Sequence, residues 1–170
     1  MNKDTEDTLA LMDAKRIERS LKRIAHQVAE DNKASKELVL LGINKRGYAV
    51  SEMLCRYLKD LLDNPIACNR LEVKKNSSSK TDFSLQGKYV LLVDDVIFSG
   101  TTMFEALKLI TRDHAPDEVH TVTLVDRGHR KYPIIARFVG LDLPTKLDEH
   151  VHLELKNGEP FTVILEKSLH

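Results

Sequence analysis

The sequence predicts an α/β fold: a twisted parallel sheet flanked by helices, followed by a C-terminal β-hairpin. Three observations carry this. Apolar runs at 38–43 (LVLLGI) and 90–93 (VLLV), with a further run at 118–125, read as strands buried on both faces. Amphipathic helical patterns alternate with these strands, as a parallel sheet requires. Near the end, Asn157-Gly158 separates two strand-like segments, a strong hairpin signal.

The chain has 170 residues, enough for one domain with its own core, so 1–170 is read as a single domain. Apolar residues make up 42% and charged residues 31%, which excludes a disordered chain. Basic and acidic residues balance at 26 each, so any nucleic acid would have to be met by a local patch. The opening MNKDTEDTLA is polar and acidic, unlike a signal peptide, and no apolar run spans a bilayer. Cys55 and Cys68 suggest neither a disulfide framework nor a zinc site, and are read as reduced. A cytoplasmic enzyme or regulator without a membrane partner is expected.

Residues 1–12 read as an N-terminal arm. Asp13 is placed to cap a helix carrying Ile17, Leu21, Ile24 and Val28 on one stripe, with Lys22 and Arg23 among the basic residues beside it. The strand 38–43 runs into a tight basic loop, Asn44-Lys45-Arg46-Gly47. A helix follows with Val50, Met53, Leu54, Tyr57, Leu58 and Leu61 expected to face inward. Residues 65–73 return as a strand. The polar stretch 74–82 reads as a loop able to fold over a phosphate ligand.

Val90 to Thr102, VLLVDDVIFSGTT, is the most informative stretch. A buried strand meets Asp94 and Asp95, and Ser99-Gly100-Thr101-Thr102 leads into a helix with Met103, Ala106, Leu107 and Ile110 inward. Free backbone N–H groups at a helix start, with the hydroxyls of Ser99, Thr101 and Thr102, can cradle a phosphate. The two carboxylates can accept hydrogen bonds from vicinal ribose hydroxyls. An Asp-Asp pair alone is ordinary; the whole ordered run is specific. Neither the P-loop nor the G-x-G-x-x-G pattern occurs. Later, the strand 118–125 ends in Asp126-Arg127-Gly128-His129-Arg130. A short strand is expected at 134–139, a loop at 140–145, and hairpin strands at 150–155 and 161–166. The segments 44–47, 94–102 and 126–130 all follow the carboxyl end of a strand, where parallel sheets bind ligands.

The stretch VLLVDDVIFSGTT resembles the phosphoribosyl pyrophosphate (PRPP) signature of type I phosphoribosyltransferases. Together with Arg23-Ile24-Ala25-His26, Gly42-Ile43, Arg46-Gly47, the segment 124–130 (LVDRGHR), Val139-Gly140 and Pro144-Thr145, it resembles the pyrimidine-operon attenuator/uracil phosphoribosyltransferase (PyrR) family over about residues 11–166. The resemblance implies a type I fold with a small hood, mainly from about 126–170. It implies transfer of 5-phosphoribose from PRPP to uracil, giving UMP and pyrophosphate, with Mg2+ as cofactor. Asp94, Asp95 and Arg46 would be catalytic. Asp94, Asp95, Phe98, Ser99, Gly100, Thr101 and Thr102 would bind ribose and 5′-phosphate, and Lys45, Arg46 and Gly47 the pyrophosphate. Asp126, with the backbone around Phe138 and Val139, would face the base. No direct metal ligand follows; Mg2+ would arrive on PRPP, with Asp94 or Asp95 reaching it through water.

The resemblance also implies a homo-oligomer built on dimers, and an RNA face from Arg23, His26, His129 and Arg130, joined by Lys22 and Arg127. Two departures bear on this. The segment 71–86 is shorter than the family's and lacks its Tyr-Arg-Asp stretch, so closure over PRPP is curtailed. Ile135 and Leu141 stand where the family has basic residues, which argues against RNA binding as the primary function. Phe98, where purine enzymes often carry Asp, argues against hypoxanthine and guanine. Two alternatives stay open: a UMP- or PRPP-sensing RNA-binding regulator with little catalysis, and a phosphoribosyltransferase for another base.

Overall fold

The computed structural model describes residues 8–33, 36–74 and 82–167. In chain order its elements are β1 (Thr8–Met12), α1 (Ala14–Asp31), β2 (Leu38–Ile43), α2 (Asn44–Leu61), β3 (Ile66–Leu71), β4 (Tyr89–Ile97), α3 (Thr101–Asp113), β5 (Glu118–Asp126), β6 (Phe138–Asp142), β7 (Glu149–Lys156) and β8 (Glu159–Lys167). Five strands form an all-parallel sheet in the order β3-β2-β4-β5-β6. The other three form an antiparallel sheet, β1-β8-β7. No helix among the described residues is long and apolar enough to cross a membrane.

The two-residue period of a strand explains why the parallel sheet is apolar on both faces. Leu38, Leu40, Leu91 and Val93 pack with α1 and α2. The intervening Val39, Leu41, Val90 and Leu92 pack with Met103, Ala106 and Ile110 of α3. Helices therefore cover both faces, and the binding edge is left to the strand ends.

Local sequence sets the helix starts. Asp13 Oδ1 accepts from Arg16 N at 2.7 Å. The stripe Ile17, Leu21, Ile24 and Val28 is fully buried. Asn157 and Gly158 take φ values of 53° and 77°, the left-handed pair that a tight hairpin turn needs.

Several expectations are corrected. Residues 8–12 are a strand, not an arm: β1 pairs with β8, and Met12 is 1% exposed because it enters the core beneath that sheet. The hood sheet thus combines both ends of the described chain, while β6 belongs to the parallel sheet. Residues 44–47 are not a loop but the first turn of α2, entered through Asn44 at φ 55°. Asp94 and Asp95 lie within β4. Leu61 is 40% exposed, since α2 has run past its packing surface by then.

The strand expected at 134–139 begins only at Phe138 and takes in Gly140–Asp142, expected as loop. Ile134 is held in a turn instead: its N–H donates to Tyr132 O at 2.7 Å, and its carbonyl accepts from Arg130. The arm's residues 1–7 and most of the loop at 74–82 (residues 75–81) lie outside the described residues.

Because Met12 fastens the hood to the helical layer, Met12→Ala should cost roughly 2–5 kcal/mol of stability. Chemical denaturation should show a lower midpoint with the slope unchanged.

Candidate active site

β4 delivers its two aspartates at its carboxyl end. Asp94 is 8% exposed, and its Oδ1 accepts from the Asp95 N–H at 2.9 Å. Burial, reinforced by the neighbouring Asp95 carboxylate, pushes the Asp94 carboxyl well above the ordinary aspartate range. Two adjacent carboxyl groups could accept hydrogen bonds from ribose hydroxyls or hold a hydrated Mg2+, whose charge would relieve their repulsion.

Beyond β4 the chain turns at Gly100, at φ 79°, and α3 begins with Thr101. Gly100 can adopt this left-handed conformation without strain. Ser99 Oγ and Thr101 Oγ1 lie 2.9 Å apart, and Ser99 Oγ accepts from the Thr101 N–H at 3.3 Å. Asp94 and residues 96–103 line a concavity of about 110 Å3. A whole small-molecule ligand usually occupies about 300–1,000 Å3. This hollow therefore suits the phosphate end alone, with hydroxyls and helix-start N–H groups as donors.

The first turn of α2 sits against the same strand end. A Cβ at Gly47 would fall 2.7 Å from Val93 O and 3.3 Å from Asp94 Cα. Only glycine brings this turn so close to the aspartates. Lys45 and Arg46 are exposed. Arg46 Nε donates to Leu153 O of β7 at 2.8 Å, so the hood steadies the side chain from its inner nitrogen and leaves its terminal nitrogens for an anion.

The loop after β5 is locked onto the loop that follows β4. Both oxygens of Asp126 are engaged: Oδ1 accepts from Gly128 N at 2.9 Å, and Oδ2 from Arg130 Nη2 at 2.7 Å. Arg130 also donates from Nη1 to Phe98 O at 2.9 Å and from Nε to Ile134 O at 2.8 Å. Lys131 N donates to Ser99 O at 2.8 Å. Arg127 is 6% exposed and sits 4.4 Å above the Phe98 ring. Its Nε donates to Thr145 Oγ1 at 2.8 Å, and its Nη2 to Glu149 O. Desolvation lowers its pKa from the ordinary value, and these acceptors with the ring face offset that cost. His129 stands 5.3 Å from Phe98 and hydrogen-bonds Thr145 O through Nε2.

The expected RNA face is not drawn together. Arg23 crosses from α1 to donate to Val139 O at 3.2 Å and Gly140 O at 2.8 Å, bracing β6 where the base was expected. His26 lies apart, in a shallow groove with Lys22, Tyr57, Asp60 and Leu61. The Phe138 side chain is buried in the α1-side core, which leaves its backbone, the part expected to meet the base. Sequence reasoning missed Thr123, a buried threonine whose Oγ1 donates to Asp95 O at 3.2 Å, and the anchoring part played by Thr145.

A hollow lined by hydroxyls and helix-start N–H groups, a carboxyl pair on a central strand and a basic helix start converge at one edge of the sheet. The phosphoribosyl transferase domain family matches residues 7–155. The chain belongs to this family, and within its type I members it groups with the PyrR proteins. It is 37% identical to the bifunctional protein PyrR of Pelotomaculum thermopropionicum, over 92% of this chain and 94% of that one. It is 37% identical to the Synechocystis sp. protein of the same name, over 89% and 92%. Among solved structures it resembles the hypoxanthine phosphoribosyltransferase of Trypanosoma cruzi (TM-score 0.77, 23% identity, 93% of this chain and 95% of that one). It also resembles a hypoxanthine-guanine phosphoribosyltransferase from Bacillus anthracis (TM-score 0.73, 23% identity, 94% and 97%). At such identities these structures establish the fold alone.

Asp94→Asn should separate stability from binding. The wild-type carboxyl keeps its proton in the fold above the pH at which the unfolded chain has lost it. Its contribution therefore falls as pH rises from the ordinary value of 3.8 towards the raised native value. The amide escapes this penalty and can still accept from Asp95 N. The variant's melting temperature should exceed wild type near pH 7, with the gain shrinking towards pH 4. Calorimetry should show PRPP binding at least tenfold weaker, about 1.4 kcal/mol.

Arg130→Gln should free the loop after β5 from Phe98. Isothermal titration should show nucleotide affinity lower by roughly tenfold, about 1.4 kcal/mol.

Proposed function

We propose that this phosphoribosyltransferase transfers the 5-phosphoribosyl group of PRPP to uracil, releasing pyrophosphate and forming UMP. The observation that carries the reading is the convergence of three strand ends. The phosphate cradle at 98–102, the Asp94-Asp95 pair and the Lys45-Arg46-Gly47 turn meet along one edge, with the Asp126 loop bonded directly to Phe98.

In this reading Ser99, Gly100, Thr101 and Thr102 hold the 5′-phosphate, and Phe98 borders the ribose and base. The Asp94 and Asp95 carboxyl groups hold the ribose hydroxyls and lie beside the positive charge that develops on the sugar as its bond to pyrophosphate weakens. Lys45 and the free end of Arg46 bind the departing pyrophosphate, where fixed charge lowers the barrier most. Asp94 or Asp95 would hold Mg2+ through water. When bound, the ion supplies charge neutralisation to the pyrophosphate. Asp126 and the backbone at Phe138 and Val139 face the base. Phe98 has no group to exchange a proton with a purine ring, which favours a pyrimidine.

A cytoplasmic homodimer is part of the proposal. Light scattering at micromolar concentration should give twice the 19.3 kDa chain mass, and a strictly monomeric protein would remove this part.

The discriminating assay supplies PRPP and Mg2+ with uracil, orotate, hypoxanthine, guanine, adenine or xanthine. Uracil should turn over, and chelating Mg2+ should abolish the reaction. Preference for a purine would refute the assignment. PRPP binding without turnover of any base would favour the nucleotide-sensing regulator, the reading that the short segment at 71–86 supports.

A further inference from the structure

We infer that Asn44 is a positioning residue for the pyrophosphate turn: it ties the start of α2 to the edge strand β3 and so holds Lys45, Arg46 and Gly47 in place beside the aspartates. The inference rests on the phosphoribosyl-transfer reading and concerns a residue to which that reading gives no role.

Asn44 stands where the chain changes direction within one residue. Ile43 ends β2 with extended backbone, at φ −78° and ψ 118°, and Asn44 opens α2 at φ 55°. Asparagine is one of the few residues with a side chain that takes this left-handed conformation readily. The step carries the next residues in against β4, where a Cβ at Gly47 would fall 2.7 Å from Val93 O.

The side chain has a second task. Asn44 Oδ1 accepts from Val73 N at 2.8 Å. Strands β2 and β3 pair in parallel register as far as Ile43 opposite Leu71. There the β2 backbone turns away into α2, and the Asn44 side-chain carbonyl takes the place of one further rung. An asparagine at a helix start ordinarily caps its own helix. Here Ile43 holds the cap position and supplies no side-chain cap bond. The first turn is attached on two flanks instead, through Asn44 to the chain leaving β3 and through Arg46 Nε to Leu153 O of the hood. The first attachment is firm, because Val73 packs against the same apolar cluster as Leu71 and Ile43.

Lys45 and Arg46 are exposed, so their charge meets an anion in a fixed place only if the backbone beneath them is held. The anchor bond and an anion bound by this turn favour the same backbone arrangement. Each must therefore strengthen the other. The coupling belongs to the pyrophosphate end of the ligand, and UMP, which has no pyrophosphate, is indifferent to it.

Two measurements on the full chain test this. Asn44→Gly keeps the left-handed backbone and removes only the acceptor. Calorimetry with Mg2+ should show PRPP and inorganic pyrophosphate binding roughly threefold to tenfold weaker, as the loss of one hydrogen bond gives, with UMP affinity unchanged. Asn44→Ala, which also strains the backbone, should bind pyrophosphate more weakly still. The second measurement needs no variant to fold: in wild type, saturating pyrophosphate with Mg2+ should slow hydrogen exchange at the Val73 amide, and UMP should leave it as it was. Wild-type pyrophosphate affinity in Asn44→Gly, an equal loss for UMP, or Val73 exchange indifferent to pyrophosphate would each overturn the inference. A wild-type chain that binds neither PRPP nor pyrophosphate would overturn the transfer reading itself, and the anchor with it.

Discussion

A carboxyl group held inside the protein sets the terms for the whole carboxyl edge of the parallel sheet. Asp94 is 8% exposed in the carboxyl-terminal half of a strand whose preceding residues, Val90 to Val93, are fully buried. Its neighbour in sequence is another aspartate, and its neighbour in space is the Gly47 turn of α2. Such a site works against stability in the free protein, because burial and like charge both oppose ionisation. The surrounding parts make sense as its complement. A basic helix start lies on one side and a phosphate-sized hollow of donors on the other. Both favour a ligand that brings hydroxyls and a cation to the carboxyl pair.

What the sequence made legible follows from periodicity and from local chemistry. The parallel sheet, the cap at Asp13 and the hairpin turn at Asn157-Gly158 all depend on neighbours within a few residues, and all three are in the structure. Strand β1 and the path around Ile134 were not legible for the opposite reason. Thr8–Met12 becomes a strand only because β8, some 150 residues later, offers an edge. Ile134 has the apolar β-branched character of a strand residue, but the Arg130 guanidinium holds its carbonyl in a turn. In both cases a long-range or side-chain hydrogen bond overrode local preference.

The same distinction governs the candidate site. Asp94, Asp95 and residues 98–102 were readable because strand, carboxylates and helix start are contiguous. The partners of the basic residues were not, because a guanidinium reaches acceptors that no spacing rule identifies. Arg127 illustrates this. In sequence it is one more positive charge in a basic turn. In the fold it is a buried strut joining Phe98, Thr145 and the Glu149 carbonyl, tying the loop after β4 to the start of β7.

These attachments bear on the balance between catalysis and RNA recognition. Affinity for a nucleic acid grows with the number of phosphates that free Lys and Arg groups can neutralise. Arg127 is buried, Arg130 spends its donors on Asp126, Phe98 and Ile134, and Arg23 is bonded to two carbonyls of β6. Recruiting any of them to a phosphate would release groups that shape the ligand site. Ile135, 82% exposed, adds apolar surface beside the same loop. The basic residues of this loop therefore serve the pocket first. An RNA contact here would have to draw on exposed groups such as Lys131, beside a site whose interior is already braced.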